Sequence, residues 1–331
     1  MTTTFAINAT LTLVEVAKRL DPNGDIATIA EILARDNEIL EDAVWVEAND
    51  LWGNKTTQRA TLPAGYHRRF NQGVATEQSL TTEVNDVVAL LEARAQCDKD
   101  LCDSMPNPAQ YRMGEAAAFI EGMSQTMATA IIYGNALVPT VALGQPPHGF
   151  SPRVPVSTAP NAITQGGTGA DLTSVWVVQW GIDKVHMIYP RGSKAGIQRF
   201  DLGEQTVASV STSTGDPNAY LQVYADRFVA KYGLVVKNPR CIQRVCNIET
   251  AGTSNILDED NLIKVLNRMP MRGRNAVIYC NTTILSQIDI LAKDKVNVNW
   301  STRDWGGVPT QFFRGCPIRK VDAILDTETA I

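Results

Sequence analysis

Six cysteines, three histidines and one glycine-rich run are the residues in this chain whose chemistry could build a site. Cys97 with Cys102 and Cys241 with Cys246 form two C-x4-C pairs, the outline of half a zinc or cluster centre. Spacing argues against that chemistry. Five residues along a helix turn through about 500° and leave Cys97 and Cys102 roughly 140° apart, while five along a strand set Cys241 and Cys246 on opposite faces. All four are expected as buried thiols, with no metal site. His67, His148 and His186 stand outside any H-E-x-x-H pattern, and none lies four residues from another ligand type, so metallohydrolase chemistry has no anchor.

Gly166-Gly167-Thr168-Gly169-Ala170-Asp171 resembles a loop that cradles phosphate, but no Lys-Ser/Thr and no helix follow, and a Rossmann loop's third glycine is missing. A glycine turn entering a strand is the expectation. In Gly192-Ser193-Lys194-Ala195-Gly196 the serine follows its glycine directly, without the spacing of a nucleophile elbow. Asp98 with Asp100 reads as a solvated helix face, and Asp258-Glu259-Asp260 as a helix start that the helix dipole favours. His67-Arg68-Arg69, flanked by Tyr66 and Phe70, could touch phosphate and stack on a base; a surface loop with an intersubunit salt bridge explains it equally well. No catalytic, cofactor-binding or metal-binding constellation emerges.

The elements that would position these residues belong to a folded chain. Its 331 residues are 44% hydrophobic and 20% charged, which excludes disordered, collagen-like and coiled-coil classes. Thirty basic against thirty-five acidic residues give a net charge of -5, the wrong sign for a protein that grips nucleic acid over its whole surface. Residues 1–20 lack a basic n-region and an unbroken apolar run, so a signal peptide is not expected. The most apolar stretch, 128–143, is interrupted by Gly134, Asn135 and Pro139 and is too short to span a bilayer. Six cysteines are too few for a disulfide scaffold and point to folding in a reducing cytoplasm.

Residues 1–21 read as an arm, and Thr28 with Glu31 as the capping box of a helix ending near Asp42. Residues 43–73 read as extended and loop-rich. Thr82 is expected to cap a helix with the stripe Val84, Val87, Val88, Leu91 and Ala95. Asn107 and Pro108 suit an N-cap and first position for the longest helix, 109–133, about 38 Å long. Residues 135–171 show no period and read as a long loop. Strand texture follows at 175–180, 184–189, 198–212 and 219–237, the last two forming a long hairpin with its tip at Gly215-Asp216-Pro217-Asn218. Helices at 258–269 and 282–292, among strands at 234–248, 276–280, 310–313 and 318–321, complete an α+β pattern.

Seven segments in order carry a resemblance: 17–50, RATLPAGYHRRFNQGV at 59–74, FIEGMSQTMATAIIYGN at 119–135, GGTGADLTSVWVVQWG at 166–181, 189–204, 232–248, and FFRGCPIRKVDAILDTETA at 312–330. The chain resembles the major capsid proteins of tailed bacteriophages with the Hong Kong 97-type fold, near podovirus-type, Bordetella phage-like members. The resemblance implies an N-terminal arm and helix (1–42), a peripheral part with a spine helix at 109–133 and a long loop (43–171), strands with an extended hairpin (172–247), and an axial part with return strands (248–331). For the extended loop, 198–237 is preferred over 43–73, although 43–73 precedes the long helix as in the usual capsid order and the choice of 198–237 requires a rearranged connectivity. It implies pentamers and hexamers of an icosahedral shell around double-stranded DNA, held by non-covalent overlap. Arg68, Arg69 and the tip Gly215, Asp216, Pro217 and Asn218 are the candidate intersubunit contacts. Expected partners are copies of itself, a scaffolding protein, a portal and a cement protein, with packaged DNA bound weakly and no membrane; location is the virion, after assembly in host cytoplasm. The alternatives are an encapsulin-type compartment, which needs a cargo-peptide groove, and a cytosolic enzyme with a ligand at 167–171.

Overall fold

A strand with apolar side chains on both faces cannot be half-solvated, and Leu172–Gln179, which carries Leu172, Val175, Trp176, Val177 and Val178, is buried along its whole length. It is an interior strand of the largest sheet in the computed structural model. The structure describes residues 37–105, 107–139, 144–208, 220–252, 254–293, 300–305 and 308–331. The first elements are α1 (Ile39–Asp42), β1 (Trp45–Glu47), β2 (Gly53–Thr61), β3 (Leu80–Val87), β4 (Ala89–Asp98), α2 (Lys99–Asp103) and α3 (Pro108–Tyr133). Then come α4 (Phe150–Arg153), β5 (Ala162–Thr164), β6 (Leu172–Gln179), β7 (Val185–Tyr189), β8 (Ile197–Ala208), β9 (Tyr220–Val236) and β10 (Ile242–Glu249). The last are α5 (Glu259–Arg268), β11 (Ala276–Cys280), α6 (Thr282–Lys293), β12 (Trp300–Trp305), β13 (Val308–Phe313) and β14 (Cys316–Lys320).

The chain divides into two compact units. Leu90–Gln125 and Gly196–Ala230 belong to one; Arg35–Ala89, Thr126–Ala195 and Lys231–Ile331 form the other. In the second unit a mixed seven-stranded sheet runs β12-β13-β14-β11-β6-β10-β5, with β6 antiparallel to both neighbours. Leu262, Val265 and Leu266 of α5 and Ile284 and Ile288 of α6 pack with Val175, Val177, Val245 and Ile278 of the sheet. Both helices start where the sequence places them. The Asp258 carboxylate accepts from the Asp260 amide at 3.1 Å, and the Asn281 side chain accepts from the Ile284 amide at 3.0 Å.

Helix α3 also follows expectation: the Asn107 side chain accepts from the Gln110 amide at 3.2 Å, with Pro108 at the first helical position. Strand β9 is the longest strand, and it serves both units. Up to Ala230 it pairs antiparallel with β8, and from Gly233 to Val236 it pairs with β7. The long hairpin read from the sequence is therefore present, while its tip, Gly215, Asp216, Pro217 and Asn218, lies outside the described residues. So do the arm at 1–21 and the Thr28–Glu31 capping box.

Four expectations are corrected. The Thr82 helix is absent: β3 and β4 occupy its place, and β3 pairs with β2 from Gly53↔Val87 to Thr61↔Leu80. Its β-branched stripe had helical spacing, but a nine-residue partner rich in threonine lies upstream, and long-range pairing outweighs local capping. Residues 135–171 are not a structureless loop, since they hold α4 and β5 and bury Phe150 and Val154 completely. The strand expected over 234–248 is broken at Pro239–Cys241 by a 3-10 turn, where Pro239 removes a ladder donor and the Asn238 side chain caps the Arg240 amide. Finally, Cys97 and Cys102 are joined by a disulfide. The spacing argument assumed one helix for both. Cys97 ends a strand and Cys102 sits in α2, and Asp98 turns the chain between them while capping α2 through the Asp100 and Leu101 amides. Cys241, Cys246, Cys280 and Cys316 are free and buried, as expected.

Candidate assembly surfaces

The β2–β3 hairpin forms a two-stranded sheet of its own, and its foot is built to hold it rigid. Asn54, Thr56 and Asp86 are buried there, and Gly53 is required because a Cβ would come within 2.5 Å of the Asp86 carbonyl oxygen. Arg153 of α4 donates to the Asp86 carboxylate at 2.7 Å and to the carbonyls of His148 and Leu234 at 3.2 and 3.1 Å. Gln58 of β2 donates to the Val236 carbonyl at 3.0 Å. A cleft of about 430 Å³ opens beside this foot, walled by Val84, Val87, Leu137 and Val236. It brings His148 near Asp86, but Arg153 occupies the carboxylate, and among the described residues no serine, threonine or cysteine lines the cleft. Burial and the Arg153 cation also hold His148 below its ordinary pKa. The arrangement is an anchor, without the nucleophile that a triad needs.

Beyond Thr61 the hairpin tip is fully exposed yet internally bonded. The Glu77 carboxylate accepts from the Ala64 and Gly65 amides at 2.8 and 3.3 Å. The Gly65 amide first, then the Tyr66 hydroxyl and the Ala64 amide, hold that carboxyl below its usual range. Arg68 donates to the Gln72 carbonyl at 2.8 Å, and the Arg69 amide donates to the Gln72 side chain at 3.3 Å, closing a turn through Asn71 at φ 62°. Among the described residues neither Arg68 nor Arg69 meets a carboxylate. Phe70, next to Arg69, is 100% exposed, and Leu62, Tyr66, Val74 and Leu80 are also in solvent. A single exposed apolar residue means little, but five on one hairpin mark an interaction surface.

In the first unit, charge fixes β8 to β9. The buried Asp226 carboxylate takes Arg112 and Arg199 at 3.0 Å each, and Arg112 reaches Asp201 at 2.8 Å. Lys99 pairs with Glu204 at 2.8 Å and Arg227 with Glu92 at 2.6 Å. The Arg227 hydrogen bond is the main reason that the Glu92 carboxyl is held down to about 2. Phe119 stacks on Phe228 with ring centroids 5.6 Å apart.

The Gly166 loop enters β6, as read from the sequence. Gly167 donates to the Asn247 carbonyl at 3.0 Å, and a Cβ on Gly167 would meet that oxygen at 2.6 Å. The Gly169 carbonyl accepts from the Ala330 amide at 3.0 Å. The space left beside the loop is lined by Asp171 and Glu249, whose carboxylates repel a phosphate. Its glycines serve close packing. No group of three or more metal-ligating side chains occurs among the described residues, and among these no helix is long and apolar enough to cross a membrane.

Neither Arg153–Asp86 nor the apolar character of the tip was read from the sequence. The first pairs residues 67 positions apart, and the second had a signal, since Leu62, Tyr66, Phe70 and Val74 alternate with glycines and cations in a segment without helical or strand period.

A family model described as Major capsid protein GP7 matches residues 21–331. No curated protein matches. Among solved structures, a chain of bacteriophage Epsilon15 is 29% identical over 98% of this chain and 98% of that one, with a TM-score of 0.72. The bacteriophage JBD30 capsid is 12% identical, covering 90% of this chain and 95% of that chain at a TM-score of 0.48. The SrpI encapsulin of Synechococcus elongatus PCC 7942 is 11% identical, covering 72% and 97% at a TM-score of 0.41. An enzyme at the Gly166 loop is thereby set aside, in agreement with the way that loop is closed. The family match spans nearly the whole chain, which thus belongs to the Major capsid protein GP7 family, as a Hong Kong 97-like α+β subunit that is structural, not catalytic, and assembles into the icosahedral shell of a phage.

Proposed function

We propose that copies of this chain form pentamers and hexamers, and that the β2–β3 hairpin is the extended loop by which each copy overlaps a neighbour. The observation that carries this reading is an apolar tip on a braced, two-stranded stem with no third strand among the described residues. This hairpin precedes α3, so the usual capsid order is kept and no rearranged connectivity is required. The β8–β9 hairpin, preferred from sequence, is a second overlapping arm, and Arg68, Arg69 and the tip Gly215–Asn218 are contacts in the two arms. Helix α3 is the spine and residues 248–323 supply the axial part. Burying Leu62, Tyr66, Phe70 and Val74 against a neighbour contributes on the order of 5 kcal/mol per copy before association costs.

The overlap is non-covalent, with a scaffolding protein, a portal and a cement protein as further partners and assembly in the host cytoplasm. A net charge of -5 suits weak, non-specific contact with packaged double-stranded DNA, which must load and leave. The test is Phe70→Asp, expressed beside the wild type and sized by sedimentation and electron microscopy. A folded variant that no longer forms shells is expected; shells of normal size and yield would refute the assignment of this hairpin.

A further inference from the structure

Leaving α5, the chain makes a turn that side chains resist. Met271 (φ 52°, ψ 32°) and Arg272 (φ 55°, ψ 41°) are both left-handed, Gly273 follows at φ 71°, and Asn275 is left-handed again at φ 58°. Non-glycine residues rarely adopt this conformation, and two in succession persist only where surrounding structure fixes them and a use maintains them. The fixing is visible. Buried Gln179 donates through one amide nitrogen to the Pro270 and Arg274 carbonyls, at 3.2 and 2.9 Å, clamping the turn across its base. The Arg272 amide donates to Met269 at 3.2 Å, and the Cys316 thiol lies 3.4 Å from the Gly273 carbonyl.

The clamped turn holds Met271 79% exposed, with Arg272 and Arg274 in solvent beside it. Arg240, from the 3-10 turn packed against this one, and Arg268, the last residue of α5, extend the patch. Arg240 and Arg268 donate only to carbonyls, those of Arg268, Pro160 and Ala162, and among the described residues none of the four arginines meets a carboxylate. Four unpaired arginines around an apolar tip therefore sit on a chain of charge -5, whose remaining residues then total -5 - 4 = -9.

We infer that this Met271–Arg274 knuckle with Arg240 and Arg268 is a docking surface for an acidic face of a second copy of the chain. The inference rests on self-assembly and not on which hairpin is the extended loop. Charge complementarity favours a second copy, because everything outside the patch is net acidic and shell subunits lie side by side. A rigid, strained backbone and an exposed methionine favour a protein partner over phosphate, since arginine and methionine are enriched at protein interfaces while phosphate contacts need no fixed apolar tip.

The test uses Arg272→Gly and the double variant Arg272→Gln with Arg274→Gln in the full chain. Glycine takes the left-handed conformation freely, so unassembled R272G should unfold at a higher urea midpoint than wild type yet assemble less well. The glutamine pair should unfold as wild type does and need about tenfold more protein to form particles at low salt, the difference fading at high salt. Normal assembly of both variants overturns the inference, and so does normal assembly with selective loss of binding to a double-stranded DNA fragment, which would assign the patch to phosphate. If the glutamine pair fails to fold, R272G alone decides by the same criterion. A wild type that forms no particles overturns the self-assembly on which the inference rests, whereas failure of only the Phe70→Asp variant concerns the hairpin.

Discussion

Glu328 should be among the most expensive single side chains to remove. Its carboxylate is 7% exposed and Arg244 beside it 3%, with Arg244 Nη2 to Oε2 at 2.9 Å. Ser174 donates its hydroxyl to the same oxygen and Tyr133 donates to the other, while Arg244 also donates to Ser174 at 3.0 Å and to the Val154 carbonyl at 3.1 Å. Glu328→Ala leaves a guanidinium buried without its anion, which costs about 3–5 kcal/mol. For a unit of this size that lowers the melting temperature by roughly 6–20 °C. Arg244→Met added to Glu328→Ala should recover most of the loss, because an apolar side chain of similar length needs no counter-ion. Urea unfolding read by fluorescence is the assay, since the Arg244 guanidinium lies 4.9 Å from the Trp176 ring. A cost below about 1 kcal/mol for Glu328→Ala, or a double variant as unstable as the sum of the singles, would show that the cluster does not act as a unit.

Two further outcomes follow from other clusters. Cys97→Ser should cost the first unit about 2 kcal/mol, as expected for a short closed loop, and reductant should lower the wild type to the level of the variant; a wild type indifferent to reductant refutes a stabilising disulfide. Glu38 and Asp42 are both raised above their ordinary values by burial, against the pull of Arg319. A carboxyl raised in the folded state supports stability below its unfolded value, near 4.5 for Glu38, and loses that support as pH climbs through the folded value. Wild type should therefore lose stability relative to Glu38→Gln as pH rises above about 4.5, measured as urea midpoints, and a constant difference or the opposite slope refutes this.

What could be read from the sequence depended on whether its cause was local. Helices α5 and α6 were legible because their caps, Asp258 and Asn281, lie next to the residues they satisfy. Strand β6 was legible from its composition alone. The Thr82 segment misled because Val84, Val87, Val88 and Leu91 suit a helical stripe, while the register that makes β3 a strand is written in Gly53–Thr61. The disulfide was hidden by the same error, since a helix through Cys97 parts the thiols that a strand-to-helix corner brings together. The family was readable from ordered segments over most of the chain. Of the hairpin's apolar tip only Tyr66 and Phe70 were singled out, as stacking partners beside the triplet His67-Arg68-Arg69, and Arg153 had no local mark as the brace for Asp86.

The Glu328 cluster also sets the order in which the second unit can be completed. Arg244 precedes its carboxylate by 84 residues and Ser174 precedes it by 154. At about 5–20 residues per second of synthesis, a guanidinium made early waits on the order of ten seconds for its counter-ion. Until then the sheet cannot close over Arg244 without burying a bare charge. A nascent chain cut short before Glu328 would thus close its largest sheet only with that bare charge inside it, at a cost of about 3–5 kcal/mol, and an incomplete subunit would enter the growing shell less stable than a finished one.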